Sequence, residues 1–356
     1  MLPSRRRPDS HGGMATAPPT SAPLVLLRRA GREESVHRGH AVLLEDGRVR
    51  WSAGDPQHLV FVRSAIKPIQ ALTGVTSGAV ERFGLGTRSV AIACASHMGS
   101  QEHIEAVLEL LGAAGVSDEA LRCGGHFSFD LEVARTQQSP VGGFPAVWSN
   151  CSGKHAMMLA ASRALEAPLD GYLHPDHPVQ QAILADIVEL AGVGPDGVHV
   201  AVDGCGAPAP ALALTPFAGA FDGLLRAARM PRHRLHEAAS AVLGAMPAHP
   251  TLVAGAGRFD TELMQAVPGA VVAKAGAEGV HITLVPERRL VLAVKVEDGS
   301  DRGYRGLVIG VLERMGVLDA MTAEDLRQRQ AAPILRNWAG NEVGRMDVVL
   351  PDRLTD

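Results

Sequence analysis

The chain has 356 residues, of which 46% are hydrophobic, 20% charged and 4% aromatic, and its formal net charge is −4. This length allows one large domain or two modest ones around a substantial core. The slight negative charge excludes a strongly basic nucleic-acid binder, and the few aromatic residues argue against base-stacking platforms. No apolar run approaches the roughly 20 residues that a membrane helix needs.

The ends of the chain differ in composition from its centre. Residues 1–21 are rich in Pro, Ser and Gly, and we expect a disordered lead there. Three arginines at 5–7 could begin a signal peptide, but the next apolar stretch, 24–27, is too short for its hydrophobic part. We therefore expect a cytoplasmic protein with one catalytic domain over 22–350 and a C-terminal tail over 351–356.

The N-terminal half is predicted to consist of short strands and helices. The strands are expected over 24–27, 41–44, 48–51, 59–63 and 89–95. An Asp-Gly pair predicts a hairpin turn between the second and third of these strands. Helices are expected over 65–75 and 101–111. Pro68 is tolerated only in the first turn of a helix, so Ser64 is predicted to cap the first of them.

The C-terminal half is predicted to change from helices to strands. The helices are expected over 154–165, 179–190, 234–243, 261–267 and 306–315, and the strands over 199–202, 271–273, 280–285 and 290–296. The last two strands are expected to pair antiparallel. Because strands and helices do not alternate regularly, we predict a mixed α/β (α+β) fold, with an antiparallel-containing sheet flanked by helices and a helical portion.

A serine and a lysine lie three positions apart at Ser64 and Lys67. On a helix these positions share a face, so the two side chains can meet. A neutral amine could take the serine proton during attack on a carbonyl carbon, provided that burial lowers the pKa of the lysine. Backbone N–H groups at a helix start could stabilise the oxyanion. Serine β-lactamases use this spacing, but a capping serine with a surface lysine has the same pattern.

Two further segments carry reactive side chains where a strand is predicted to end. Ser96 and His97 lie in the turn Cys94–Ser100, where side chains at a sheet edge could meet a ligand; an ordinary helix start is the alternative. Lys274 precedes small residues at the end of a predicted strand. It is similar to the Lys-Thr-Gly strand of the β-lactamases, with Ala275 at the threonine position, although an ordinary strand end is also compatible.

Two Gly-rich segments hold cysteines next to other reactive groups. The first, Asn150–His155, contains Cys151, Lys154 and His155, and the second, Asp203–Pro208, contains Cys205. If the two segments meet, their side chains could bind zinc. Each segment contributes one cysteine rather than a Cys-x-x-Cys pair, so a polar active-site rim without metal is the alternative. The four cysteines of the chain are expected to be thiols in a reducing compartment.

Five motifs occur in one order: Arg-Ser-x-x-Lys-Pro, Cys-Ala-Ser-His, Asn-Cys-Ser-Gly-Lys-His, Asp-Gly-Cys-Gly-x-Pro and Lys-x-Gly-x-Glu-Gly. In this combination the chain resembles the Rhizobium-type, inducible L-asparaginase II family over roughly 22–350. The resemblance implies a fold similar to serine β-lactamases and class A glutaminases, and a homodimer. It also implies a role in asparagine catabolism.

The resemblance assigns roles to ten residues. The implied catalytic residues are Ser64, Lys67, Ser96 and Lys274. The implied substrate-binding residues are Arg63, His155 and Asp203. The implied zinc ligands are Cys151, Lys154 and Cys205, and zinc is the cofactor that we expect. No nucleic acid and no membrane are expected as partners.

The expected reaction is hydrolysis of L-asparagine to L-aspartate and ammonia. Lys67, with or without Lys274 acting through Ser96, would take the proton from Ser64 as it attacks the amide carbon. Which of Ser64 and Ser96 attacks stays open. Three alternatives remain: a related serine amidohydrolase acting on glutamine or a β-lactam, a non-catalytic zinc-dependent amino-acid sensor, and a zinc hydrolase in which metal-bound water attacks.

Overall fold

A computed structural model describes residues 21–138, 143–350 and 354. Most of the predicted lead and tail therefore lies outside the described residues. Ser21 is an exception, because its Oγ donates a hydrogen bond to Glu297 at 2.7 Å. Leu354, within the predicted tail, is buried. In the part of the chain that is described, no helix is both long and apolar enough to cross a membrane.

The described residues form strands, helices and short 3₁₀ turns. The strands are β1 (Ala22–Arg29), β2 (Arg32–Glu45), β3 (Arg48–Ala53), β4 (Leu59–Phe61), β5 (His199–Val202), β6 (Pro208–Ala213), β7 (Val272–Gly276), β8 (Val280–Val285), β9 (Leu290–Val296), β10 (Ile334–Arg336) and β11 (Glu342–Val348). The helices are α1 (Lys67–Gln70), α2 (Leu72–Thr76), α3 (Ala79–Arg82), α4 (Thr87–Ala93), α5 (Gln101–Ala113), α6 (Leu131–Thr136), α7 (Ser152–Ala164), α8 (Pro178–Ala191), α9 (Leu214–Arg229), α10 (His236–Ala248), α11 (Pro250–Val253), α12 (Phe259–Ala266), α13 (Arg302–Arg314) and α14 (Ala320–Leu326). A 3₁₀ turn over Arg63–Ile66 precedes α1.

One large antiparallel sheet forms the centre of the fold. Its strand order is β10-β11-β1-β2-β9-β8-β7, and β3 pairs with the C-terminal part of β2. Six consecutive β2 residues, 39–44, are buried. Successive strand residues point to opposite faces, so both faces of the sheet are covered there. Helices α9 and α13 both pack against β2 and β9. This arrangement confirms the predicted mixed fold with an antiparallel sheet and flanking helices.

The hairpin between β2 and β3 turns at the Asp-Gly pair that the sequence predicted. Asp46 has φ 51° and Gly47 has φ 75°. Positive φ at both central residues is typical of a type I′ turn, which matches the twist of the flanking strands. The antiparallel pair β8–β9 is also confirmed, with Ile282 opposite Ala293.

One predicted strand is a helix. The segment 89–95 was expected to be a buried strand, but α4 covers most of it, and Val90–Ala93 are all buried. A helix enclosed on all sides is apolar all round, so its short apolar run has the pattern of a buried strand. Helix α4 packs against α5, α7 and α10. The turn that carries Ser96 therefore follows a helix and not a strand.

Sequence patterns did not predict α9, the longest helix among the described residues, or several strands. Helix α9 contains Pro216, Gly219 and Gly223, which are typical helix breakers. Pro216 is tolerated because it lies in the first turn. A Cβ at Gly223 would lie 2.4 Å from the Leu190 carbonyl oxygen, so the glycine allows α8 and α9 to approach closely. Strands β6, β10 and β11 and helix α14 were also not predicted, and β6 contains two prolines, which are rare inside sheets.

Gly153 allows α7 to pack closely against α4, and we expect Gly153→Ala to destabilise the fold. A Cβ at this position would lie 2.1 Å from the Ile92 carbonyl oxygen, so the backbone of one helix must move. We expect the free energy of unfolding in urea to fall by about 1–3 kcal/mol. Gly112→Ala is the matched control, because Gly112 lies in α5 with nothing within 4 Å. There alanine should stabilise by up to about 1 kcal/mol. Equal effects of the two substitutions would contradict this explanation.

Candidate active site

Lys67 is buried with its amine against a serine hydroxyl. The side chain is 1% exposed. Its Nζ donates hydrogen bonds to the Ala95 carbonyl oxygen at 2.6 Å and to Ser96 Oγ at 3.0 Å. Cys151 Sγ lies 3.3 Å from the same nitrogen, and the Asn150 carbonyl oxygen lies 3.4 Å from it. Lys67 therefore joins the turn after α4 to the segment that begins α7.

Ser64 lies in the 3₁₀ turn before α1, and it does not make the contact that its spacing predicts. Among the described residues, Ser64 Oγ has no hydrogen-bond partner, whereas Lys67 Nζ is directed to Ser96. The predicted capping role of Ser64 is also wrong, because Ile66 is the residue that precedes α1. The chain first makes a tighter 3₁₀ turn, which moves the start of the α-helix to Lys67.

The turn after α4 separates the roles of its two serines. Ser100, and not Ser96, caps α5, in a reciprocal capping arrangement with His103. Ser96 is thereby left to hydrogen-bond Lys67. His97 was predicted to be exposed, but it is fully buried, with Nε2 2.9 Å from Ser152 Oγ. Gly99 N–H donates to His97 Nδ1, so the proton lies on Nε2 and the imidazole joins the turn to α7.

The predicted zinc ligands lie together. Lys154 Nζ donates to Cys205 Sγ at 3.2 Å. The Cys205 thiol hydrogen-bonds the Cys151 sulfur, which holds the pKa of Cys151 well below its usual range, and the Lys67 and Lys154 charges act in the same direction. The hydrogen bond to Cys151, together with burial, raises the pKa of Cys205. Burial works to lower the pKa of Lys154, but the charges of the two cysteines outweigh burial and raise that pKa.

This donor set fits a zinc ion by its chemistry. Zinc prefers sulfur and nitrogen ligands, and here the Cys205 thiol contacts both the Lys154 amine and the Cys151 sulfur. Because the third donor is a lysine, the site differs from ordinary sites built of His, Cys, Asp and Glu. In the described ranges, no group of three or more of those four residue types could hold a metal ion. The three residues therefore fit the predicted zinc site only if the Lys154 amine is a ligand.

Arg63 and Asp203 form an ion pair at the edge of the site. Arg63 Nη2 and Nε donate to Asp203 Oδ1 at 2.9 and 3.2 Å. Burial works to raise the pKa of Asp203, but the hydrogen bond and charge of Arg63 outweigh burial and lower that pKa. Arg63 has φ 46°, a left-handed conformation that costs a residue with a Cβ about 1–3 kcal/mol. The structure thus brings together two of the three predicted substrate-binding residues.

The third, His155, is fully buried. Its Nδ1 lies 2.7 Å from Tyr172 Oη, which accepts the Arg122 N–H. The tyrosine proton is therefore available to His155 Nδ1. Burial lowers the pKa of His155 well below its usual range, and the Lys154 and Lys67 charges add to this effect. His155 Nε2 has no hydrogen-bond partner among the described residues, so no hydrogen bond from this atom joins the ring to the Arg63 ion pair.

Lys274 and Ser96 line the same small cavity, together with Asp260 and Tyr304. The Lys274 side chain is 1% exposed, and its Nζ donates to the Ala275 carbonyl oxygen at 2.6 Å. Burial lowers the pKa of Lys274 to about 8, although the Asp260 charge opposes the effect of burial. Among the predicted catalytic residues, Lys274 therefore carries an amine of which a part is uncharged near neutral pH.

Lysine is rare in this chain, and its rarity is a further sequence signal for the site. Of 34 Lys and Arg residues, four are Lys. Lys67, Lys154 and Lys274 lie in the site, and Lys295 lines a neighbouring groove with Arg63 and Glu278. Arginine cannot lose its proton in proteins, so lysine is the residue expected where a neutral amine is needed. The motifs also did not predict a role for the Asp260 carboxylate, and no comparable feature of the sequence marks this residue.

A protein-family model and two solved structures resemble this chain. No curated protein matches the chain. A β-lactamase structure from Mycobacterium bovis is 12% identical with a TM-score of 0.40, and the match covers 79% of this chain and 95% of that one. A candidate β-lactamase from Bacteroides dorei is 12% identical with a TM-score of 0.38, and the match covers 72% of this chain and 84% of that one. The family model described as L-asparaginase II matches residues 25–348. Since this match spans the fold from β1 to β11 and includes every site residue described above, the chain belongs to the L-asparaginase II family.

Proposed function

We propose that this protein hydrolyses the side-chain amide of L-asparagine to L-aspartate and ammonia, as a zinc-containing, Rhizobium-type member of its family. The observation that carries the proposal is the buried amine of Lys67 at 3.0 Å from Ser96 Oγ, beside the cavity that holds Lys274. A hydroxyl group that contacts one buried amine and shares a cavity with a second is suited to proton transfer during acyl transfer.

In this proposal Ser64 is the nucleophile. Its Oγ has no described hydrogen-bond partner, so it can turn toward a substrate carbon without breaking a bond. Ser64 directly follows Arg63, whose ion pair with Asp203 offers both signs of charge. A zwitterionic amino acid needs both, one for its carboxylate and one for its ammonium group. The ion pair would therefore hold asparagine with its side-chain amide near Ser64.

The proton is proposed to pass through the two lysines. Lys67 takes the proton of Ser64 as Oγ bonds to the amide carbon, and it passes a proton through Ser96 toward Lys274. The lysines then return this proton to the amide nitrogen, the C–N bond breaks, and ammonia leaves as the tetrahedral intermediate collapses to the acyl ester on Ser64. Water attacks the ester and gives a proton to the lysines, which pass it to Ser64 Oγ as the ester bond breaks and aspartate leaves. Lys274, with its pKa of about 8, is suited to accept and return a proton near neutral pH.

Cys151, Lys154 and Cys205 are the residues proposed to hold zinc. When bound, the ion would supply positive charge that orients the substrate. As ligands, both thiols and the Lys154 amine must be deprotonated, and the low pKa of Cys151 favours this state at one of the three positions. We infer that zinc does not activate the attacking water, so metal-free enzyme should keep part of its kcat while KM rises.

Zinc binding can be tested by equilibrium dialysis with the zinc ion alone. We expect about one zinc ion per chain, and we expect Cys205→Ala to weaken binding by about 100-fold or more. Cys94→Ala is the matched control, because Cys94 is a buried thiol that is not among the proposed ligands. Equal zinc binding by the Cys205 variant and the wild type would contradict the assignment. Loss of all turnover at saturating asparagine on zinc removal, without unfolding, would contradict the orienting role.

The substrate is tested by ammonia release from L-asparagine and L-glutamine, and by cleavage of a chromogenic β-lactam. We expect asparagine to be the preferred substrate. Turnover of glutamine or the β-lactam with none of asparagine would support the related serine amidohydrolase. Asparagine binding without ammonia release would support the sensor. The homodimer, the cytoplasmic location and the single catalytic domain stay predictions.

A further inference from the structure

We propose that Asp260 is a positioning residue for Lys274. Through its hydrogen bonds with Ala275 and His281 it holds the end of β7 in place, and its carboxylate is a buried counter-charge of the Lys274 amine. The inference rests on the proposed function, in which Lys274 exchanges a proton with Ser96. The proposed reaction itself assigns no role to Asp260 or His281.

Asp260 anchors the strand that carries Lys274. The Asp260 side chain, on α12, is buried, and its Oδ2 accepts the Ala275 N–H at 2.7 Å. Strand β7 is the last strand of the large sheet, so this N–H has no neighbouring strand on that side. Asp260 therefore gives a partner to a partly buried N–H at the edge of the sheet. The bond restrains the residue that follows Lys274.

The other carboxylate oxygen of Asp260 is held by a buried histidine. His281 Nε2 lies 3.1 Å from Oδ1, and because a carboxylate oxygen only accepts, the imidazole donates. Thr283 Oγ1 lies 3.1 Å from His281 Nδ1, and the ring stacks on Tyr304 at a centroid distance of 4.7 Å. Both oxygens of Asp260 and both nitrogens of His281 are thus engaged, which leaves the carboxylate little freedom to turn.

The charge of Asp260 acts on a lysine whose other neighbours are neutral or cationic groups, apart from Cys151, whose charge raises the pKa of Lys274 less than the charge of Asp260 does. The titratable and charged groups around Lys274 are Arg258, Asp260, Lys67, Cys94, Cys151, His281, Tyr304 and Arg305. Among these eight groups, Asp260 is the one that carries a carboxylate. A buried ammonium group needs such a counter-charge, and without it Lys274 would lose its proton at lower pH. Asp260 would thereby keep Lys274 able to carry a proton near neutral pH.

Asp260→Asn removes the charge and keeps the shape. The amide oxygen can still accept the Ala275 N–H, and the amide nitrogen can donate to His281 Nε2 if the imidazole takes its other tautomer. We expect the Lys274 titration midpoint to fall by about one pH unit or more. The acidic limb of the kcat profile for ammonia release should move to lower pH with it, because a base becomes active as it loses its proton.

The midpoint can be measured without any turnover, by NMR of protein labelled with ¹³C,¹⁵N-lysine. The chain has four lysines, so the spectrum is simple, and the loss of one signal in Lys274→Met assigns it. Asp186→Asn is the matched control, because Asp186 is equally buried and pairs with Arg234 instead. It should leave the Lys274 midpoint unchanged.

The possible outcomes separate this inference from the proposed function. A lower midpoint together with a shifted acidic limb supports both. An unchanged midpoint in folded Asp260→Asn, with activity reduced equally at every pH, would overturn the inference and leave a structural role. If the wild type releases no ammonia from asparagine, the proposed function fails. The Lys274 midpoint then still tests the counter-charge on its own: a lowered midpoint in Asp260→Asn supports it, and an unchanged midpoint refutes it.

Discussion

Ser64→Ala is expected to lower kcat for ammonia release from L-asparagine by about 10⁴-fold or more, because no other group of the site can form the acyl ester in the proposed reaction. The variant should fold normally, since Ser64 Oγ makes no hydrogen bond to a described residue. The measurement is steady-state ammonia release at saturating asparagine. Circular dichroism and zinc binding, compared with the wild type, would show that the variant is folded.

Ser96→Ala is the matched variant for this experiment. It removes a proton carrier and keeps the proposed nucleophile, so we expect a smaller loss, of about 10²–10³-fold in kcat. Acyl-enzyme trapped by acid during turnover should be found by mass spectrometry on the peptide that contains Ser64. If Ser96→Ala is inactive, Ser64→Ala stays active and the acyl group lies on Ser96, then Ser96 is the nucleophile. Its hydrogen bond to Lys67 would then be the activating contact.

Lys67→Met is expected to cause the second largest loss, of about 10³–10⁴-fold in kcat, because the first proton acceptor is gone. Methionine fits the length of the buried lysine, but it leaves the Ala95 carbonyl oxygen without its donor. We therefore expect a lower free energy of unfolding as well, by about 1–3 kcal/mol. The rates should be compared at saturating asparagine and at a temperature at which urea unfolding shows the variant to be folded.

Lys67→Arg separates a positive charge from a proton acceptor. Arginine keeps the charge and the hydrogen-bond donors, but it does not lose its proton in a protein. If Lys67 acts as a base, the arginine variant should be nearly as inactive as Lys67→Met. Recovery of substantial activity in Lys67→Arg would mean that Lys67 supplies charge near Ser96 and that another group, with Lys274 the first candidate, takes the proton.

Local sequence signals predicted the parts of the fold that depend on few neighbouring residues. The Asp46-Gly47 turn is one example, since only residues that tolerate positive φ suit a type I′ turn. Helix α5 is another, because its apolar residues recur at helical spacing. Helices α4 and α9 were not predicted correctly, since their character depends on enclosure by other helices and on close contacts at glycine.

By itself the sequence determined which residues are available for chemistry, since the motif order identified the family and the reactive side chains at Ser64, Lys67, Ser96 and Lys274. Only the tertiary structure decided which of them touch. Spacing along a helix predicted that Lys67 meets Ser64, but the buried amine instead bonds the groups that α4 and α7 bring to it. A buried polar group must take the partners that packing supplies, and packing joins segments that are far apart in the sequence.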